Sequence, residues 1–197
     1  MKNQTSERLT QDQILILIQG LKDKGKYRDA IYVLVSYSLG LRAGDVLNLT
    51  WDKLSNNGVI KHQLELSEQK TGKVRIIPLN SSLRGSLQRY YDSLDTKYHF
   101  VFTTPKNVSI TVRGMNKNVK GWNIDYLKCA VDHLSTHSFR KSFGFAYWDL
   151  RGRTEEALVE LMNIFNHSSL KTTIKYIGIT ADITKKAYSV VELKTGI

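Results

Sequence analysis

The segment FNHSSLKTTIKYIGIT, residues 165–180, places His167 nine positions before Tyr176, with small hydroxyl residues between them. In one unbroken helix, nine residues are about 2.5 turns and about 13 Å of rise, so the two side chains point to opposite faces. They share a site only if a helix begins between them or the chain turns again before the tyrosine. Ser168 or Ser169 can cap a fresh helix over 170–175, which puts the histidine at a helix mouth. The expected shape is therefore a turn carrying His167, a short Ser-capped helix, and a second bend presenting Tyr176. The bland alternative is a packing tyrosine, because nine other tyrosines occur in the chain.

Working outward, Thr154 with Glu155 and Glu156 starts a helix that is apolar at Leu158, Leu161, Met162 and Phe165. Ser135 or Thr136 caps another, in which Phe139, Phe143, Tyr147 and Leu150 form an apolar stripe. Residues 111–134 read as largely helical, with Gly114 and Gly121 interrupting. YHFVFTT (98–104) is extended, and Asn80 caps a helix through about Leu94. Residues 58–79 change period and predict a β-hairpin or part of a three-stranded sheet, with its turn at Lys70–Lys73. AGDVLNLTW (43–51) is a short helical turn. YRDAIYVLVSYSL (27–39) is a buried helix stopped by Gly40. Thr10–Gln13 is a capping box for a helix running to Lys24, stopped by Gly25. A tail helix is expected over about 181–193. The fold class is mainly α with a small antiparallel β-sheet.

At 197 residues the chain is long enough for one well-buried domain. Its 29 Lys and Arg against 18 Asp and Glu give a net charge of +11. Such a balance favours a polyanionic partner, and no basic amphipathic anchor is present, so nucleic acid is preferred over a membrane surface. The apolar runs ILILI (14–18) and AIYVLV (30–35) are too short to span a bilayer. The single cysteine, Cys129, excludes an internal disulfide framework and fits a reducing compartment. Its neighbours suggest a packed core thiol.

Taken singly, the basic residues have ordinary explanations. Arg42, directly after a helix stop, reads as a solvated arginine, and Lys70 as a solubilising hairpin tip. His137 and Arg140 lie at i and i+3 in a first helical turn, where two phosphate-competent groups meet free N–H groups. A partly buried helix-start histidine is the simpler account of that pair. Order and spacing change the reading. GLRAGDVLNLTWDKL (40–54), QKTGKVRIIPLN (69–80), THSFRKSF (136–143) and LMNIFNHSSLKTTIKYIGI (161–179) together closely resemble the catalytic domain of tyrosine recombinases, the phage-integrase family. The resemblance runs from about Leu9 to Ile179.

The resemblance implies the tyrosine recombinase catalytic-domain fold over residues 1–180 and a tail, 181–197, that docks on a neighbouring protomer. With the first helix starting near Thr10, the separate N-terminal DNA-clamping domain common in the family is expected to be absent. It implies that Arg42 and Arg140 are the two catalytic arginines, with Asp45 supporting the first. Lys70 matches the hairpin lysine, His137 the first variable position of the HxxR box, His167 the His/Trp position, and Tyr176 the nucleophile. Asn166 stands where a glycine is common. The activity implied is site-specific recombination of double-stranded DNA through a 3′-phosphotyrosyl intermediate, without metal, cofactor or ATP, in a tetramer assembled on DNA. A cytoplasmic, nucleoid-associated location in a prokaryote follows. The competing readings are a type IB topoisomerase-like activity and a catalytically silent DNA-binding regulator on the same scaffold.

Overall fold

Thr10 accepts from the Gln13 backbone N–H at 3.2 Å, while Gln13 Oε1 accepts from the Thr10 N–H at 2.9 Å. This reciprocal box starts α1 (Gln11–Asp23) where the sequence places it, and Gly25, at φ +67°, turns the chain after it. The computed structural model describes residues 5–67 and 74–180. α2 (Tyr27–Leu39) follows and is buried along most of its length. At its centre Tyr32 meets Phe102 and Phe139 edge-on, with ring centroids 5.6 and 6.0 Å apart. Such pairs add about 0.5–1.5 kcal/mol each beyond burial.

α2 ends at Gly40, at φ +56°. A Cβ there would come within 2.3 Å of the Phe143 ring, so both the backbone angle and the space require glycine. The short helices α3 (Ala43–Leu47) and α4 (Trp51–Leu54) follow. The expected single hairpin or three-stranded sheet resolves into two separate antiparallel pairs. β1 (Ser55–Asn56) pairs with β2 (Val59–Ile60), and β3 (Gln63–Ser67) pairs with β4 (Val74–Pro78). The turn that carries Lys70 lies outside the described residues, as does the tail expected to be helical over 181–193.

Asn80 caps α5 (Ser81–Asp92) by accepting from Leu83 N–H at 2.8 Å. Among the described residues, the extended run after it pairs through isolated bridges, Thr50 with Phe100 and Thr103 with Ser109. α6 (Val112–Asp125) ends earlier than expected. Lys128 and Cys129 both adopt positive φ in the turns that follow, and Cys129 is exposed rather than a core thiol. Leu127 and Val131 take the buried positions on either side of it. α7 (Thr136–Leu150), α8 (Glu155–Phe165) and α9 (Leu170–Ile177) complete the described elements. Leu150, at the last residue of α7, leaves the predicted stripe and is 87 % exposed.

Two apolar clusters result. The larger joins α1, α2 and the elements around them; the smaller, of Leu158, Leu161, Phe165, Ile177 and Ile179, lies under α8 and α9. Gly144 of α7 makes the close approach possible. A Cβ there would lie 2.7 Å from Ile177 Cγ2 and 2.8 Å from Phe165 Cζ.

Candidate active site

α8 stops where Asn166 turns left-handed, at φ 50° and ψ 51°. Asparagine is among the few non-glycine residues that adopt this region readily, so the common glycine is replaced without loss of the turn. His167 N–H closes the helix end by donating to Met162 O at 2.9 Å. Ser169 then accepts from Thr172 N–H and opens α9. His167 therefore sits between two helices, at the mouth of the second, as the sequence predicts. The second bend is misplaced in that reading. α9 runs through Tyr176 and turns only at Gly178, φ +81°, because the face Leu170, Thr173 and Ile177 packs continuously against the smaller cluster.

That one break suffices to bring the two rings together. The centroids of His167 and Tyr176 are 5.2 Å apart at 69°, and both flank the Phe165 ring, at 5.3 and 5.6 Å. His167 Nδ1 lies 3.0 Å from the hydroxyl of Thr173, a fully buried residue. This contact commits Nδ1 and leaves Nε2 available to a ligand.

The arginines converge on the same helix end. Arg140 is buried, 4 % exposed, and donates from Nη1 to Gly40 O at 2.6 Å and from Nη2 to Phe165 O at 2.9 Å. Its guanidinium also stacks on the Phe165 ring, 4.1 Å from the centroid. Arg42, the N-cap residue of α3, donates from Nη2 to the same Phe165 carbonyl at 3.4 Å. A helix C-terminus carries partial negative charge, so it stabilises cations placed there. The two arginines separated by 98 positions are thus brought together. Asp45 is exposed, and among the described residues no ion pair joins it to Arg42; its field reaches Arg140. His137 stands in the first turn of α7, one turn from Arg140.

Two further residues of the site stand outside the motif positions. Arg75 donates from Nη2 to Ile164 O at 2.7 Å, beside the carbonyl that holds the other arginines. Its signal was a charge on the strand face shared with Ile77. Thr173 carried a comparable one, a hydroxyl at i+3 from Leu170 on the face of α9 that packs inward.

Burial first, then the nearby Arg42 and Arg75, pulls Arg140 down to about 10, while Tyr176 and Asp45 act against the shift. The guanidinium stays charged at neutral pH. Desolvation raises the Tyr176 phenol above its usual value, while the charge of Arg140, a hydrogen bond from it, and Arg42 act against that rise. The phenol is therefore protonated at neutral pH. Both imidazoles are held below their ordinary value. Desolvation leads in each case, followed by Lys141 and Arg140 for His137, and by Arg140 and Arg42 for His167. Neutral imidazoles can accept a proton or donate one hydrogen bond. The site thus combines cationic guanidiniums, two imidazoles held below their ordinary value and a protonated phenol, groups suited to binding an anion.

Residues 7–182 match the Phage integrase family. The chain is 31 % identical over 176 residues to the probable integrase/recombinase YoeC of Bacillus subtilis (strain 168), covering 87 % of this chain and 88 % of that protein. It is also 31 % identical over 183 residues to the tyrosine recombinase XerA of Pyrococcus furiosus, covering 91 % of this chain and 59 % of that longer protein. Among solved structures, XerA recombinase superposes with a TM-score of 0.69 at 19 % identity, over 98 % of this chain and 67 % of that one. XerH site-specific recombinase, bound to palindromic difH substrate in a post-cleavage complex, superposes with a TM-score of 0.69 at 17 % identity, over 95 % and 54 %. At these identities the structural likeness is one of fold, and it is the fold expected from the four sequence blocks.

Proposed function

The chain belongs to the phage integrase family, and from that premise we propose that it is a site-specific DNA recombinase that cuts and rejoins strands through tyrosine. The observation that carries the proposal is the convergence of His167 and Tyr176, 5.2 Å apart, beside Arg140 and Arg42 on a single helix end. Three blocks distant in sequence meet at one point, and every group there suits an anion with a leaving oxygen.

The Tyr176 oxygen attacks phosphorus in line with the deoxyribose 5′-oxygen. The new bond is O–P to tyrosine and the broken one is P–O5′, which leaves a 3′-phosphotyrosyl link and a free 5′-hydroxyl. Charge builds on the equatorial oxygens, where Arg42 and Arg140 present planar donor forks. Preorganised donors of this kind contribute about 3–4 kcal/mol each to the transition state. His137, neutral because it is partly desolvated beside two cations, takes the phenolic proton. His167 donates from Nε2 to a phosphate oxygen, with its ring fixed by Thr173. The leaving oxygen needs a proton, and Lys70 remains our candidate donor, although it lies outside the described residues. Because the phosphotyrosyl link conserves the ester, a second 5′-hydroxyl can reverse the reaction and rejoin a strand without a nucleotide.

The partner in this reading is double-stranded DNA, which the net charge of +11 supports. We assign catalysis to residues up to about 180, assembly to a tetramer on DNA, and the location to the cytoplasm. Incubation with nicked duplexes containing candidate sites tests the reading. A covalent adduct should form, then resolve when a strand bearing a free 5′-hydroxyl is supplied. DNA binding with no adduct on a cognate site would favour a regulator on this scaffold.

A further inference from the structure

Arg75 belongs to none of the roles assigned above. It lies on β4, half-buried, on the face it shares with Ile77, while Val74 and Ile76 are exposed. Its Nη2 donates to Ile164 O at 2.7 Å. The next carbonyl along the chain, Phe165 O, accepts from Arg140 Nη2 at 2.9 Å and from Arg42 Nη2 at 3.4 Å. Guanidiniums from three separate elements thus meet two consecutive peptide carbonyls.

Among the described residues, the ion pairs involve other cations, and none brings a carboxylate to Arg42, Arg75 or Arg140. A helix C-terminus supplies roughly half a negative charge, against three positive ones. Arg75 acts on Arg140 as a like charge. A clamp holding β4 to α8 would need only a donor to Ile164 O, which a neutral amide provides without repulsion. A permanent charge at this position is explained by an incoming anion.

Resting on the recombinase reading, we propose that Arg75 is a third phosphate-binding guanidinium, contacting a DNA backbone phosphate beside those held by Arg42 and Arg140. Its bond to Ile164 O fixes one arm of the fork and leaves the rest of the guanidinium to face the phosphate.

The test is the salt dependence of binding to a short blunt duplex of arbitrary sequence, compared for wild type, Arg75→Gln, Arg75→Lys and Arg42→Gln. Each phosphate contact contributes about 0.9 to the slope of log K against log salt. Arg75→Gln should lose about one such increment, as Arg42→Gln does, and Arg75→Lys should keep it. A wild-type slope in Arg75→Gln, with Arg42→Gln reduced, would overturn the proposal and leave Arg75 as a clamp seen only in a lower thermal midpoint. Unchanged slopes in both would overturn it together with the active-site reading. Phenylglyoxal labelling of the wild-type protein supplies a check that requires no variant to fold. Duplex should protect Arg75 and Arg42 together; protection of Arg42 alone would contradict the proposal.

Discussion

His167 and Tyr176 are nine residues apart in sequence, yet their rings lie 5.2 Å apart because the chain breaks at Asn166 and restarts at Ser169. The break depends on a left-handed residue, and the restart on a serine hydroxyl. Everything else in the site is arranged around the helix end that this break creates.

The left-handed turn is directly testable. Asn166→Ala should destabilise the protein by about 1–2 kcal/mol, since an alanine Cβ crowds the following carbonyl there. Asn166→Gly should fold as well as wild type and retain DNA cleavage. Urea midpoints for the two variants check this; equal midpoints would show that the turn is not under conformational constraint.

The spacing between α7 and the α8–α9 pair is equally exposed to mutation. Adding one methyl at Gly144 meets Ile177 and Phe165 at under 3 Å. Gly144→Ala is expected to cost about 1–3 kcal/mol as overpacking. It should also slow adduct formation, because Phe165 lies against both Arg140 and Tyr176.

Arg140 uses a fork geometry that lysine lacks. Its two terminal nitrogens reach Gly40 O and Phe165 O, which separate strongly in sequence. Arg140→Lys keeps the charge but can satisfy only part of this arrangement, so cleavage should fall by about 100-fold or more. Single-turnover kinetics on nicked duplex measures it; near wild-type rates would show that charge alone is sufficient.

Thr173 acts through His167 rather than on the substrate. Thr173→Val removes the hydroxyl 3.0 Å from Nδ1 and frees the ring to change tautomer. The cleavage rate should drop by about tenfold, the worth of one hydrogen bond. Thr173→Ser should restore it, whereas loss of packing alone would leave serine no better than valine.

Acid sensitivity follows from the depressed imidazoles. In the unfolded chain His137 and His167 titrate near the ordinary value of 6.5, and in the folded protein they titrate lower. On acidification the unfolded state therefore takes up protons first. Their contribution is intact above that value and is lost as the pH falls through and below it. The urea midpoint should decline as the pH falls below about 6.5, and the double variant His137→Gln, His167→Gln should flatten that decline. An equally steep decline in the double variant would assign it to other groups.

Features fixed by local chemistry were legible in the sequence. The Thr10 box, the Gly40 stop and the Ser169 cap each depend on a side chain and its near neighbours, and each occurs where its spacing indicates. Features fixed by distant packing were not. Cys129 has apolar neighbours, but the chain turns at that point and exposes it. Leu150 continues the helical stripe in sequence, yet it is exposed at the end of α7. The bend expected before Tyr176 is absent because Ile177 anchors the whole of α9 in the smaller cluster. Arg42 and Arg140 could be named by their sequence blocks, but the Phe165 carbonyl that joins them is visible only in three dimensions.

The central claim, that Tyr176 is the nucleophile, is tested most directly by trapping the covalent adduct on nicked duplex and locating the modified residue by peptide mass spectrometry. The account predicts a single nucleotide-bearing peptide with the mass on Tyr176, and no adduct from Tyr176→Phe although that variant still binds the duplex. An adduct on any other residue, or one that persists in Tyr176→Phe, would contradict it.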